Sequence, residues 1–132
     1  MDETFTSFEI VLKNCMERII NKLGYGWRES VYQNALAHEL RTFGYSISKE
    51  VNFPILYDGV EVGIARFDLL VNSQYVIEFK ALAKIGEKEK NQIKRYLEVS
   101  SLNEGYLINV NLDKFEAVKV QPLLGGAAKI SL

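Results

Sequence analysis

The stretch Phe67–Ala81, FDLLVNSQYVIEFKA, reads as two apolar strands joined by a turn at Asn72-Ser73-Gln74. With a three-residue turn, Val71 faces Tyr75, Leu69 faces Ile77, and Asp68 lies directly opposite Glu78. Directly opposed side chains on one sheet face have Cβ atoms roughly 4.5–5.5 Å apart, and like charges there are destabilising. Lys80 follows Glu78 by two residues and projects from the same face. Two carboxylates brought together inside apolar strands need a neutralising charge, and two solutions are open. A divalent cation would supply it, with the lysine alongside. Alternatively Arg66, opposite Lys80 in this register, would close a plain cross-strand ion network through the diagonals Asp68–Lys80 and Arg66–Glu78. A slip of one residue would send the two acids to opposite faces.

The 132 residues, 48% apolar and 25% charged, suit one globular domain with a real core and argue against disorder. No run of about 18 apolar residues is present, so no membrane span is expected. The opening segment MDETFTSFEIVLKN lacks the basic-then-apolar pattern of a secretory signal. The single Cys15 excludes an internal disulfide and fits a reducing compartment, so an intracellular location, cytoplasmic or nuclear, is expected. Cys15 lies on an apolar helical stripe and reads as a buried structural thiol. The lone His38 has no partner for a His/Cys zinc site. A net charge of −1 is not that of a protein holding nucleic acid by bulk electrostatics. Yet Lys80, Lys84, Lys88, Lys90, Lys94 and Arg95 stand against only Glu87 and Glu89, a local basic excess just after the acidic strands. A solvated helix face would give the same pattern.

Working outward, Phe8, Val11, Leu12, Cys15, Ile19 and Leu23 recur at helical spacing within residues 5–24, and Gly24 and Gly26 provide the stop. A second helix spans about Glu29 to Phe43, with Gly44 placed as its C-terminal glycine. Asp58-Gly59 marks a tight hairpin turn, and Pro54 marks the strand before it as an edge strand or one that meets the sheet only in part. The next strand is expected over Tyr75–Leu82. A lysine-rich helix follows from about Gly86 to Ser100, then strands near 104–111 and 114–121. The core is expected over about 19–121, with 122–132 a loose tail. The reading is an α/β fold, a central mixed β-sheet flanked by helices.

This order resembles the αβββαβ core of the PD-(D/E)XK, or restriction-endonuclease-like, nuclease superfamily. Asp68 stands at the place of its motif aspartate, and Glu78-Phe79-Lys80 matches E-x-K on the next strand. Gln92-Ile93-Lys94-Arg95-Tyr96 resembles the Q-x-x-x-Y motif of the exonuclease-like branch. Gly26-Trp27-Arg28-Glu29-Ser30-Val31-Tyr32 matches G-x-x-E-x-x-Y, the signature naming the GxxExxY family, and the likeness runs from about Ile19 to Val110. Tyr25 and the Trp27-Arg28 pair depart from the usual proline and aliphatics, at the mouth of the site.

The resemblance implies a metal-dependent nuclease, with DNA the expected substrate and Mg²⁺ (Mn²⁺ as substitute) the expected cofactor. Asp68, Glu78 and the backbone carbonyl of Phe79 would hold the metal, since hard cations prefer oxygen ligands. Lys80 would orient water or stabilise developing charge. Glu29 is implied as a catalytic residue, either supporting the metal ligands or binding a second metal. An acid favoured by the helix dipole would look the same. Gln92 and Tyr96, four apart on one helix face, would support the site, Gln92 by holding a phosphate or Lys80; a core aromatic with a hydrogen-bonded hydroxyl would account for Tyr96 equally well. Tyr32 would support it or simply pack its helix on the sheet. Lys84, Lys88 and Lys94 would track a nucleic-acid backbone. Two other functions stay open: a catalytically silent nuclease-fold module binding nucleic acid or a protein, and a structural domain with a charged hairpin. The near-neutral charge fits the module, or a protein partner or second copy that delivers substrate.

Overall fold

Ser7 opens the first helix, its hydroxyl accepting the N–H of Ile10 at 3.3 Å in the computed structural model, which describes residues 7–122. Helix α1 is Phe8–Leu23, and it ends where Gly24 takes φ 76°, a conformation other residues resist. Helix α2 is Glu29–Thr42, followed by Gly44 at φ 92°. Strands β1 (Ile47–Tyr57), β2 (Val60–Val71) and β3 (Tyr75–Lys80) come next, then helix α3 (Glu87–Ser100) and strands β4 (Glu104–Val110) and β5 (Phe115–Val120). The segment α2-β1-β2-β3-α3-β4 is the expected αβββαβ order. The first helix starts at Phe8 within the described residues, and residues 123–132 of the expected tail lie outside them.

The five strands form one mixed sheet in the order β1-β2-β3-β4-β5, with β3 and β4 parallel and all other neighbours antiparallel. Strand β1 is therefore an edge, which accommodates Pro54. Asp58 and Gly59, both at positive φ, join Tyr57 to Val60 in a two-residue turn. Helices α1 and α2 cover one face, placing Leu12, Cys15, Met16, Ile19, Tyr32, Leu36 and Leu40 against Leu69, Val71, Ile77, Phe79 and Ile108. Helix α3 covers the other, with Ile93 and Leu97 against Phe67, Val76, Leu107 and Val120. Helix α3 lies close to β4: a Cβ on Gly105 would meet Ile93 and Leu97 of α3 at 3.3 Å, and Val76 Cγ2 of β3 at 2.9 Å.

Strand alternation breaks at Asp68. Leu69 and Val71 join the α1/α2 core, whereas Phe67, two residues back from Leu69, joins the α3 core. Residues two apart in a regular strand share a face, so β2 turns over between them. Strand β1 turns with it: Ile47 packs with the first core and Phe53 with the second. Glu50 lies across from Asp68, flanked by the pairs Lys49↔Leu69 and Val51↔Phe67, and has φ 53°. A left-handed residue in mid-strand is how the hairpin takes this kink.

Candidate active site

The kink opens the sheet between β2 and β3. Their backbone pairing runs Val71↔Tyr75, Leu70↔Val76, Leu69↔Ile77 and then stops. The expected register is thus present. Beyond it, carboxylates take the place of backbone carbonyls: Asp68 Oδ2 accepts the N–H of Phe79 at 2.7 Å, and Glu78 Oε1 accepts the N–H of Asp68 at 3.2 Å. Asp68 and Glu78 are brought together, and each keeps its other oxygen, Oδ1 or Oε2, without a protein donor among the described residues.

The plain ion network does not form. Arg66 turns to Glu50, at 3.3 Å, and among the described residues no cation comes within salt-bridge distance of Asp68 or Glu78. The kink explains the divergence, because it re-aims Arg66 and Glu50 together at the edge of the sheet. Burial, then the Asp68 charge, push the Glu78 carboxyl up to about 7. Burial also raises Asp68, against the opposing pull of the Phe79 N–H and of Lys80. Lys80 thus lies within electrostatic reach of both acids, on the same face as Glu78. The pair retains a negative charge that no cation among the described residues neutralises by contact.

Glu29 is the first residue of α2, exposed, and its charge contributes to raising Glu78. Among the described residues no three Asp, Glu, His or Cys side chains form a group that could hold a metal ion, so Glu29 does not complete one with Asp68 and Glu78. Tyr32 is buried against the sheet as expected, and its hydroxyl has a further task. It donates to the Gly24 carbonyl at 2.8 Å and accepts the Trp27 N–H at 3.2 Å. Gly26, at φ 98°, completes that loop. In G-x-x-E-x-x-Y the glycine makes the turn and the tyrosine pins it, which sets where Glu29 begins its helix.

Gln92 does not hold Lys80. Its amide lies 3.5 Å from the Tyr96 hydroxyl on the exposed side of α3, while the Tyr96 ring packs edge-on against Phe67, at 5.9 Å. Tyr96 therefore buttresses the residue preceding Asp68. Lys84 and Lys88 are exposed and Lys94 is partly so, leaving their ammonium groups available to an anionic ligand.

Three positioning residues were not singled out in the sequence. Gln33, buried on α2, donates to the Asp68 carbonyl at 3.2 Å. Its place four residues after Glu29, polar within a buried stripe, was the available signal. Asn109, buried in β4, pairs through both ends of its amide with the N–H and carbonyl of Leu82, each at 2.8 Å. It steers the chain immediately after Lys80, and for that reason the regular strand ends at Lys80 rather than at Leu82. A polar residue inside GYLINV was the clue. Glu50 is the third, facing Asp68 from the edge strand.

The set fits a hard divalent cation. Among the described residues the two partly desolvated carboxylates keep spare oxygens and have no ammonium or guanidinium partner, and such cations take a few protein oxygens and keep their waters. Asp68 and Glu78 would hold it, with the Phe79 carbonyl.

A mixed sheet opened at paired acids and sandwiched between helices defines a restriction-endonuclease-like α/β protein. The family model of the PD-(D/E)XK nuclease superfamily matches residues 7–120, and the chain belongs to that superfamily. The solved structure of SSO0001 is similar in fold, with a TM-score of 0.57 at 17% sequence identity. That similarity covers 94% of this chain and 66% of SSO0001, so the chain spans about two thirds of that protein's length. No curated protein matches the chain.

Proposed function

We propose that this chain is a Mg²⁺-dependent nuclease of the GxxExxY branch that hydrolyses phosphodiester bonds of DNA. The observation carrying this reading is the pair of carboxylates in the open seam between β2 and β3. Each is tied to the opposite strand's N–H, and among the described residues each keeps an unclaimed oxygen and no cation lies in contact with either. Asp68, Glu78 and the Phe79 carbonyl hold the metal. Such an ion supplies positive charge at the phosphoryl oxygens and acidifies water at neutral pH. Lys80, on the Glu78 face, orients the attacking water and stabilises charge developing on the phosphate. Glu29 adds negative charge at the rim, where it steadies metal or water. Gln33 and Asn109 keep Asp68 and Lys80 in register from either side. Lys84, Lys88 and Lys94 draw the phosphate backbone across the site. The single buried thiol, Cys15, suits work inside the cell.

Calorimetric titration with Mg²⁺ and Mn²⁺ tests the metal. Binding by the unmodified chain and its loss in Asp68→Asn and Glu78→Gln are expected, and metal binding unchanged by both substitutions removes the reading. Incubation with linear, nicked and single-stranded DNA, and with RNA, tests the chemistry. DNA is expected to be cut by the wild type and to survive Lys80→Ala. The net charge of −1 favours a second reading, a silent nuclease-fold module that binds nucleic acid or a protein partner. Metal binding with every substrate left intact would select it.

A further inference from the structure

Beside the paired acids, the loop that leads into Glu29 and the segment that leaves Lys80 enclose an open pocket of about 250 Å³. Gly26, Trp27, Ala81, Leu82, Asn111 and Leu112 line it. Two of these are large apolar residues left largely in solvent: Trp27 is 53% exposed and Leu112 84%. The indole is nevertheless held. Its Nε1 donates to the Leu23 carbonyl at 2.8 Å, at the end of α1, and its backbone N–H is taken by Tyr32.

We propose that this pocket is a stacking subsite for one unpaired nucleobase of the strand whose phosphate lies at Asp68, Glu78 and Lys80. The inference rests on the nuclease reading and specifies its substrate as single-stranded or frayed nucleic acid. Three observations carry it. The volume falls below the roughly 300–1,000 Å³ of sites for drug-sized ligands and suits a single planar ring. Its polar side-chain groups are already engaged. The Asn111 Oδ1 accepts from the N–H groups of Asp113 and Lys114, its Nδ2 donates to the Ala83 carbonyl, and the indole N–H serves Leu23. What the walls offer a ligand is therefore a π-face and apolar surface, which recognises a base by stacking and not by its hydrogen-bonding edge. Finally, Lys84 directly follows this segment, so the cationic groups that attract a phosphate backbone adjoin the ring site. A base inside a duplex has both faces covered and cannot enter without being extruded. Stacking is also indifferent to base identity, so little sequence preference is expected.

Trp27 is the chain's single tryptophan, so intrinsic fluorescence reports this pocket directly. The probes are a short oligothymidylate, the same oligomer lacking its bases, and a blunt duplex, each titrated with Ca²⁺ in place of Mg²⁺. The base-bearing single strand is expected to quench Trp27 and to bind about tenfold or more tightly than the abasic strand. The abasic strand and the blunt duplex are expected to leave the emission unchanged. In Trp27→Ala the affinity ratio between base-bearing and abasic strands falls toward one. Leu112→Ala, a change at an exposed turn that the fold tolerates, lowers the same ratio. Equal quenching and equal affinity for the base-bearing and abasic strands overturn the subsite. Cleavage in Mg²⁺ separates the two claims. Quenching without cleavage of any strand refutes the nuclease and keeps the subsite; cleavage with no base-dependent binding does the reverse. Failure to bind any strand refutes both.

Discussion

Burial and the adjacent Asp68 charge raise the Glu78 carboxyl from 4.5 to about 7, so the metal-free fold favours its protonated form. A pKa raised on folding contributes stability that is complete below about 4.5 and is lost as the pH rises through about 7. The shift corresponds to about 3 kcal/mol at most. Glu78→Gln keeps an oxygen for the Asp68 N–H and removes the titration. Without metal it should match the wild type in acid and exceed it in stability by up to about 3 kcal/mol above neutral pH, read from denaturant unfolding across pH. A wild-type stability that stays flat between those values would contradict the desolvated acid. Tyr32 acts at the same scale. Tyr32→Phe leaves the ring in the core and strips the Gly24 carbonyl and Trp27 N–H of their partner, costing about 1–3 kcal/mol. It should lower the melting temperature and, on the proposed function, also slow DNA cleavage, because the loop it releases positions Glu29. A variant with reduced stability and unaltered cleavage would make Tyr32 a packing residue alone.

Among the elements, the β1–β2 hairpin and the β3-α3-β4 unit do different work. The hairpin changes face at Glu50 and Asp68 and thereby opens the seam in which the acids sit. The β3-α3-β4 unit holds the other half of the site rigid, through Asn109 on Leu82 and through the close approach of α3 to β4 at Gly105. A methyl on Gly105 would lie 2.9 Å from Val76 and 3.3 Å from both Ile93 and Leu97, with β3 on one side and α3 on the other. Gly105→Ala should therefore cost about 1–3 kcal/mol, the usual range for overpacking, measured by chemical denaturation. An unchanged midpoint would mean that α3 is free to move away from the sheet. That would also loosen Tyr96 from Phe67 and, through it, Asp68.

Across the whole molecule, charge is balanced in sum and uneven in place: a net −1, with the basic excess concentrated from Lys80 to Arg95 beside the acidic seam. On the proposed function, affinity for a single strand then depends on a few lysines. Replacing Lys84, Lys88 and Lys94 together by alanine should weaken binding and reduce the slope of log K against log salt by about 2, at about 0.7 per phosphate contact. A slope that does not move would place the strand elsewhere. Most of the architecture was legible in the chain because it depends on local patterns. Helical spacing, Gly24 and Gly44 past the helix ends, Asp58-Gly59 and the Asn72–Gln74 turn set the elements and brought Asp68 opposite Glu78. The kink was not legible. A two-residue turn at Asp58-Gly59 pairs Tyr57 with Val60, but the ladder shifts by one between Ile55 and Leu56, and that shift is what brings Glu50 across from Asp68. Gln33 and Asn109 stand out as polar residues within buried stripes, but their roles were hidden, because their partners are backbone groups 35 and 27 residues away. The chain by itself therefore determined which side chains belong near one another along adjoining strands. Tertiary structure decided that those strands part at the acids, that Arg66 turns away from them, and that distant amides hold the opening, since each depends on long-range packing that no local pattern encodes.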